Sequence, residues 1–205
     1  EDKTINYEED CFGMETSLTV SGQLEGEMGA LALGKIYTFG PTFRAENSNT
    51  TGHLAEFWMV EPEMAFCDLQ GAIDVAEELI GYLIKYVLEN YKEELMLLCK
   101  QGKESKEGGK GDDLLWELEH ISEHPFVRIS YDQAFSLLKE AGRRERGKFV
   151  FPLSEWGSDL QKEHERYLVQ YFKCGVVVHD YPKGLKPFYM RQNDDDKTVG
   201  AMDIL

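Results

Sequence analysis

The sequence predicts an α+β fold, with a mostly antiparallel sheet flanked by helices. Three observations carry this. Two strand-like runs, residues 36–44 and 56–66, flank a polar stretch as the arms of a hairpin would. A long helical repeat follows them directly. A second helical repeat at 158–172 leads into three short strand-like runs, at 176–178, 187–191 and 198–205.

Taken in order, residues 1–15 are acidic and irregular. Residues 17–20 read as a short strand leading into the turn-like Ser21-Gly22-Gln23-Leu24, and 25–33 as a helix. Residues 36–44 alternate and are rich in Tyr, Phe and Thr, which fit a pleated surface. Residues 45–54 are polar and read as a loop. In the next strand the period of two puts Phe57, Met59, Glu61, Glu63 and Ala65 on one face, and Trp58, Val60, Met64 and Phe66 on the other. Pro62 has no amide hydrogen, so it marks an edge position or a bulge. Asp68 is an N-cap for a long helix whose core stripe is read as Ala72, Ala76, Leu79, Leu83, Val87 and Tyr91. Residues 101–113 hold four glycines, seven charges and no apolar residue, and read as a flexible insertion. Residues 126–130 read as a strand and 132–140 as a helix. The helix over 158–172 starts near Ser158 or Asp159.

The length of 205 residues fits one domain carrying an insertion, and an apolar fraction of 42% is enough for a core. No apolar run approaches the eighteen or so residues of a membrane span. The chain opens on Glu1 with no charged-then-apolar leader, so its start is expected to be processed, trimmed or incomplete. Cys11, Cys67, Cys99 and Cys174 are scattered without metal-ligand spacing, and read as reduced thiols in a cytoplasmic-type protein. A net charge of −16 opposes indiscriminate nucleic-acid binding, so such a partner would have to be met by a local site.

Residues 43–66, FRAENSNTTGHLAEFWMVEPEMAF, concentrate the chemistry. Arg44 closes a strand, where its guanidinium can fork onto a phosphate or carboxylate. Phe57 offers a ring on which a base can stack. Glu61 and Glu63 share the Phe57 face and can meet a metal, ATP or an ammonium group, or be partnered acids in a polar core. A surface hairpin with a solvated tip would show the same residue types. Glu163-His164-Glu165 point in three directions on a helix, so they read as packing residues rather than a shared site. His120, His124 and His179 read as isolated and structural or exposed.

The literal string resembles motif 2 of class II aminoacyl-tRNA synthetases, in the form carried by asparaginyl-tRNA synthetases. Further segments resemble that family in its own order. They are LTVSGQL at 18–24, IYTFGPT at 36–42, WG-x-DL at 156–160, EHERYL at 163–168, YPK at 181–183, KPFYMR at 186–191 and KTV-x-AMD at 197–203. The resemblance implies a class II synthetase catalytic core, here incomplete, over residues 1–205. It implies ATP-dependent activation of L-asparagine to its adenylate, then transfer to tRNA(Asn), in a cytoplasmic homodimer that uses Mg²⁺. It places Ser21, Gln23 and Tyr189 around the amino acid, with Gln23 near its α-amino group. Arg44 is the catalytic residue and holds the ATP α-phosphate. Glu46, His53 and Phe57 complete the ATP site: Glu46 beside the adenosine and tRNA end, His53 near the outer phosphates, and Phe57 on adenine. Asp203 is one of two acids that hold Mg²⁺.

The pattern departs from the family at Gly52, where Arg is usual, at Gly29, where an aromatic residue is usual, and at Gly200, where Ala is usual. Motif 1, with its dimer interface, would lie before residue 1. Motif 3, the GEI glutamate and the SQRE arginine that reads the substrate side chain would lie after residue 205. The chain by itself is therefore expected to be inactive. Three other readings share these residues: an aspartyl-tRNA synthetase, a synthetase-like asparagine synthetase that acts without tRNA, and a non-catalytic paralogue that binds nucleotide or amino acid for regulation.

Overall fold

A computed structural model describes residues 5–45, 54–104 and 111–205. The chain divides into two compact units, Glu1–Cys67 and Asp68–Leu205.

The first unit is a helix on a hairpin: α1 (Gln23–Leu33), β1 (Lys35–Phe43) and β2 (Glu56–Met64). The strands pair antiparallel from Lys35 opposite Met64 to Phe43 opposite Glu56, as the alternation predicts. One further bond, from the Arg44 amide to the Ala55 carbonyl at 3.0 Å, carries the pairing to the loop. Gly34 ends α1 at φ +87°, a conformation that costs glycine least, and the chain turns at once into β1. Helix α1 lies on the inner face of the hairpin, the face of Ile36, Thr38, Thr42, Phe57, Met59, Glu61 and Glu63. Small residues permit this approach, because a Cβ on Gly26 would come within 2.9 Å of the Glu63 side chain. The outer face, with Tyr37, Phe39, Trp58 and Val60, is exposed.

Residues 17–20 do not form a strand. Among the described residues a single backbone bond, from the Phe43 amide to the Thr19 carbonyl at 2.9 Å, reaches that segment. The Thr19 hydroxyl then turns back to the Ser21 carbonyl at 2.7 Å, which starts the turn instead of a ladder.

The second unit contains α2 (Leu69–Asn90), α3 (Lys92–Glu104), α4 (Gly111–Glu123), β3 (Val127–Ser130), α5 (Tyr131–Arg144), α6 (Lys162–Phe172), β4 (Val176–Pro182) and β5 (Thr198–Ile204). Its sheet runs β3-β4-β5, with β3 parallel to β4 and β4 antiparallel to β5. The Val176-Val177-Val178 run is fully buried at the centre. Around it pack Ile129, Tyr131, Phe135, Leu138, Leu160 and Leu168, forming one core. Ser130 and Gln133 close a capping box at the start of α5. Asp68 caps α2 by accepting from the Gly71 amide at 2.9 Å. Arg128 ties β3 to α2: it meets both oxygens of Glu77 at 2.8 and 2.7 Å, and Asp74 at 2.6 Å.

Four sequence expectations are corrected here. Ile73 is the fully buried residue of α2, whereas Leu79, Leu83 and Tyr91 are exposed. The helix is apolar on more than one side, so periodicity alone cannot choose the face. Helix α6 starts at Lys162 with Gln161 as N-cap, not at Ser158. Residues 187–190 form a turn, not a strand, closed by the Met190 amide on the Pro187 carbonyl at 3.1 Å. Within 101–113, α3 continues to Glu104 and α4 begins at Gly111, while 105–110 lie outside the described residues. Lys, Glu and Gln are good helix formers, so a lack of apolar residues does not exclude a helix.

Candidate active site

The turn into α1 and the loop end of the hairpin bring four of the expected site residues into the first unit. Gly22 sits between Ser21 and Gln23 as the N-cap of α1. Its amide donates to Glu61 Oε2 at 3.0 Å, and the same oxygen accepts from the Thr38 hydroxyl at 3.1 Å. A Cβ at Gly22 would lie 2.5 Å from Thr38 Oγ1, so glycine is needed for this approach. The Ser21 hydroxyl accepts from the Gln23 amide at 3.4 Å, and Gln23 Nε2 donates to Glu27 at 3.0 Å. The segment that carries Ser21 and Gln23 is thereby pinned to the strand that carries Phe57.

Arg44 leaves the end of β1 and folds over the neighbouring strand, β2. Its Nε donates to the Val20 carbonyl at 3.1 Å, and its guanidinium carbon stands 5.4 Å from the centre of the Phe57 ring. The contact is a cation–π pair. Arg44 is exposed and Phe57 half-buried, so both remain reachable. A cation for phosphate and a ring for a base thus lie within the span of one nucleotide. Glu46 and His53 lie outside the described residues.

Three carboxylates gather beside Gln23. Burial first, then Glu27 and Glu61, push the Glu63 carboxyl above the usual carboxylate range. Such a cluster favours a cationic partner. Glu27 and Thr38 were not foreseen in the sequence; their signal is tertiary, set by α1 lying across the strands.

Tyr189 and Asp203 belong to the second unit. Tyr189 lies in the 187–190 turn and is exposed, with its ring edge-on to Phe188 at 5.6 Å. Asp203, on β5, accepts from Lys186 Nζ with both oxygens, at 3.0 and 2.8 Å. The same ammonium stands 4.0 Å above the buried Tyr181 ring. Burial and the Asp203 carboxylate push the Tyr181 hydroxyl far above its ordinary range. With Lys186 on both oxygens, and no group of three or more ligating side chains placed to hold a metal ion among the described residues, this pocket does not by itself fit a divalent ion.

The remaining candidates are structural. His164 is fully buried; its Nδ1 accepts from the Gln161 amide at 2.9 Å, and burial pushes its pKa down. Glu163 accepts from the amides of Val150 and Phe151 at 2.9 and 2.7 Å. The histidines read as isolated are not so. His120 stacks between Trp116 and His124 at 4.8 and 3.8 Å, and His179 meets Asp180 at 2.7 Å.

Residues 3–205 match the family profile described as tRNA synthetases class II (D, K and N). The asparagine–tRNA ligase of Oleidesulfovibrio alaskensis is 54% identical over 200 residues, covering 97% of this chain and 41% of that protein. The asparagine–tRNA ligase of Porphyromonas gingivalis is 50% identical over 206 residues, covering all of this chain and 42% of that protein. Among solved structures, asparaginyl-tRNA synthetase from Pyrococcus horikoshii complexed with asparaginyl-adenylate superposes with a TM-score of 0.74 at 35% identity, covering 91% of this chain and 38% of that one. The chain thus spans about two fifths of the length of the relatives it matches.

Proposed function

Since the chain belongs to the class II tRNA synthetases (D, K and N), we propose that it is the part of an asparagine–tRNA ligase that binds ATP and asparagine. The observation that carries this is the hairpin itself. The string that resembles motif 2 folds so that Arg44 stands over Phe57, beside the turn that bears Ser21 and Gln23. In the reaction, a carboxylate oxygen of asparagine attacks the α-phosphorus of ATP. A new P–O bond forms, the bond to the β-phosphate oxygen breaks, and pyrophosphate leaves with that electron pair. Negative charge grows on the α-phosphoryl oxygens, and the Arg44 guanidinium offsets it. Phe57 holds the adenine by stacking. Ser21 and Gln23 orient the amino acid, and the Glu27–Glu61–Glu63 cluster attracts its ammonium group. Glu46 and His53 complete the nucleotide site, and Tyr189 lines the amino-acid pocket. Asp203 is the one carboxylate this reading offers to Mg²⁺, and Lys186 would have to release it first. Transfer to tRNA(Asn), homodimer assembly and a cytoplasmic setting belong to the same reading.

The test is a chimera. The matching 206-residue stretch of the Porphyromonas gingivalis ligase is replaced by this chain, and ATP–pyrophosphate exchange is measured. Exchange that depends on asparagine, and is much weaker with aspartate, is the expected result. The 205-residue chain alone supplies the background. A chimera that folds and binds ATP but never forms the adenylate would transfer the case to the regulatory paralogue. Exchange with aspartate would transfer it to the aspartyl enzyme. An aspartate adenylate consumed by ammonia would mark the asparagine synthetase.

A further inference from the structure

A net charge of −16 leaves any RNA contact to a local cationic site, and the second unit contains one. Residues 139–148, KEAGRRERGK, hold five of the chain's 22 Lys and Arg side chains and only two carboxylates. They span the end of α5 and the turn after it. Lys139, Arg143 and Lys148 line a cavity of about 230 Å³ that no carboxylate lines. Lys148 also borders a shallower groove of about 550 Å³, together with Arg166, Tyr167 and Tyr171 on α6.

The two carboxylates beside that groove are already committed. Glu145 pairs with Lys148 at 2.8 Å, and Glu163 holds the amides of Val150 and Phe151. Arg144 is likewise paired, with Glu140. Arg143 and Arg146 are exposed and form no ion pair among the described residues. Cations in the last turn of a helix complement its dipole, which accounts for Arg143 and Arg144. It does not account for Arg146 or Lys148, which lie past the end of α5. The rings of Tyr167 and Tyr171 stand 6.1 Å apart, and Tyr171 is more than half exposed.

We propose that this cationic cleft at the end of α5, with its tyrosine rim on α6, is a contact site for the phosphodiester backbone of RNA. Unpaired guanidinium forks suit phosphate oxygens, and an exposed tyrosine face accepts an unpaired base. The identity of that RNA as tRNA rests on the ligase reading; the cleft chemistry does not.

The test is fluorescence anisotropy of a labelled tRNA(Asn) transcript with the full 205-residue chain, between 50 and 200 mM KCl. The double variant Arg143→Ala/Arg146→Ala is expected to bind roughly tenfold more weakly at the lowest salt and to lower the slope of log K against log salt by about 1.5. Lys85→Ala/Lys100→Ala removes the same charge from exposed positions elsewhere and is expected to stay within about twofold. Thermal melts confirm that both variants fold. The proposal is overturned if wild type fails to bind at the lowest salt, if the first variant keeps the wild-type slope, or if the control loses as much. The exchange assay contains no RNA. A silent chimera would therefore sink the ligase reading and leave this one standing.

Discussion

The two units divide the labour unevenly. The first carries Ser21, Gln23, Arg44 and Phe57 on a thin scaffold of one helix and one hairpin, with Ala30 and Thr42 as its buried side chains. The second buries a continuous core around Val176–Val178 and closes it with a capping box and the Arg128 ion pairs. Residues that must meet a substrate have to stay reachable, and reachability limits burial. The hairpin is held in register by backbone pairing and by the Glu61 bridge to Gly22. Among the described residues, no core of its own holds it.

The sharpest test of this division is to remove a group from each side. In the chimera, Arg44→Ala should lower exchange by about 10²–10³-fold, the usual cost of one preorganised charge-stabilising donor. Its melting temperature should barely change, because Arg44 is exposed. His179→Ala should leave exchange intact, since His179 serves Asp180 at the β4 bulge. Equal losses from the two variants would break the comparison.

The converse variant acts on the second unit. Leu138 is fully buried in the core. Leu138→Ala should cost about 2–5 kcal/mol of stability, from lost burial and the cavity left behind. Chemical denaturation measures it. A cost below about 1 kcal/mol would mean that the site collapses freely and the core is looser than its burial implies.

How much of this was legible differs between the units for a physical reason. The hairpin was legible because alternation and turn composition are local, and the order of its residues resembled a known motif. The Asp68 cap was local too. The Glu61–Gly22 bond joins residues 39 apart, and no period announces it. The parallel pairing of Val127 with Val176 is equally non-local. In α2, Leu79 and Leu83 are as apolar as Ile80 and Ile84, so only packing decides which pair turns inward. The Pro187 turn carried strand-like aromatic residues, yet the Met190 amide bonds the Pro187 carbonyl instead of a neighbouring strand. The resemblance placed Asp203 at a metal, and only the fold brings Lys186 onto both of its oxygens.

The smallest expected effect is also the most discriminating, because acid should act on the two units in opposite directions. His164 is held neutral by burial, with a folded pKa below its ordinary value of 6.5. Its stabilising contribution is therefore whole above pH 6.5 and is lost as pH falls through the lowered value. Glu63 is the reverse case: its folded pKa is raised above the ordinary 4.5, so its contribution is whole below pH 4.5 and is lost as pH rises through the raised value. Between neutrality and pH 4.5, acidification should weaken α6 and its neighbours while it tightens the hairpin. Glu165, raised chiefly by burial, opposes His164 within the second unit, so the two contributions must be separated by mutation. His164→Gln keeps an acceptor for the Gln161 amide but does not titrate in this range, and should flatten the loss in α6. Glu63→Gln should remove the gain in β1 and β2. Hydrogen exchange at neutral and mildly acidic pH, corrected for the intrinsic rate, reads each element separately. If protection in the hairpin and in α6 moved in the same direction, and neither substitution changed it, the carboxylate cluster beside Gln23 would not raise Glu63 through burial and like charge. Its proposed attraction for the asparagine ammonium group would then lose its electrostatic basis.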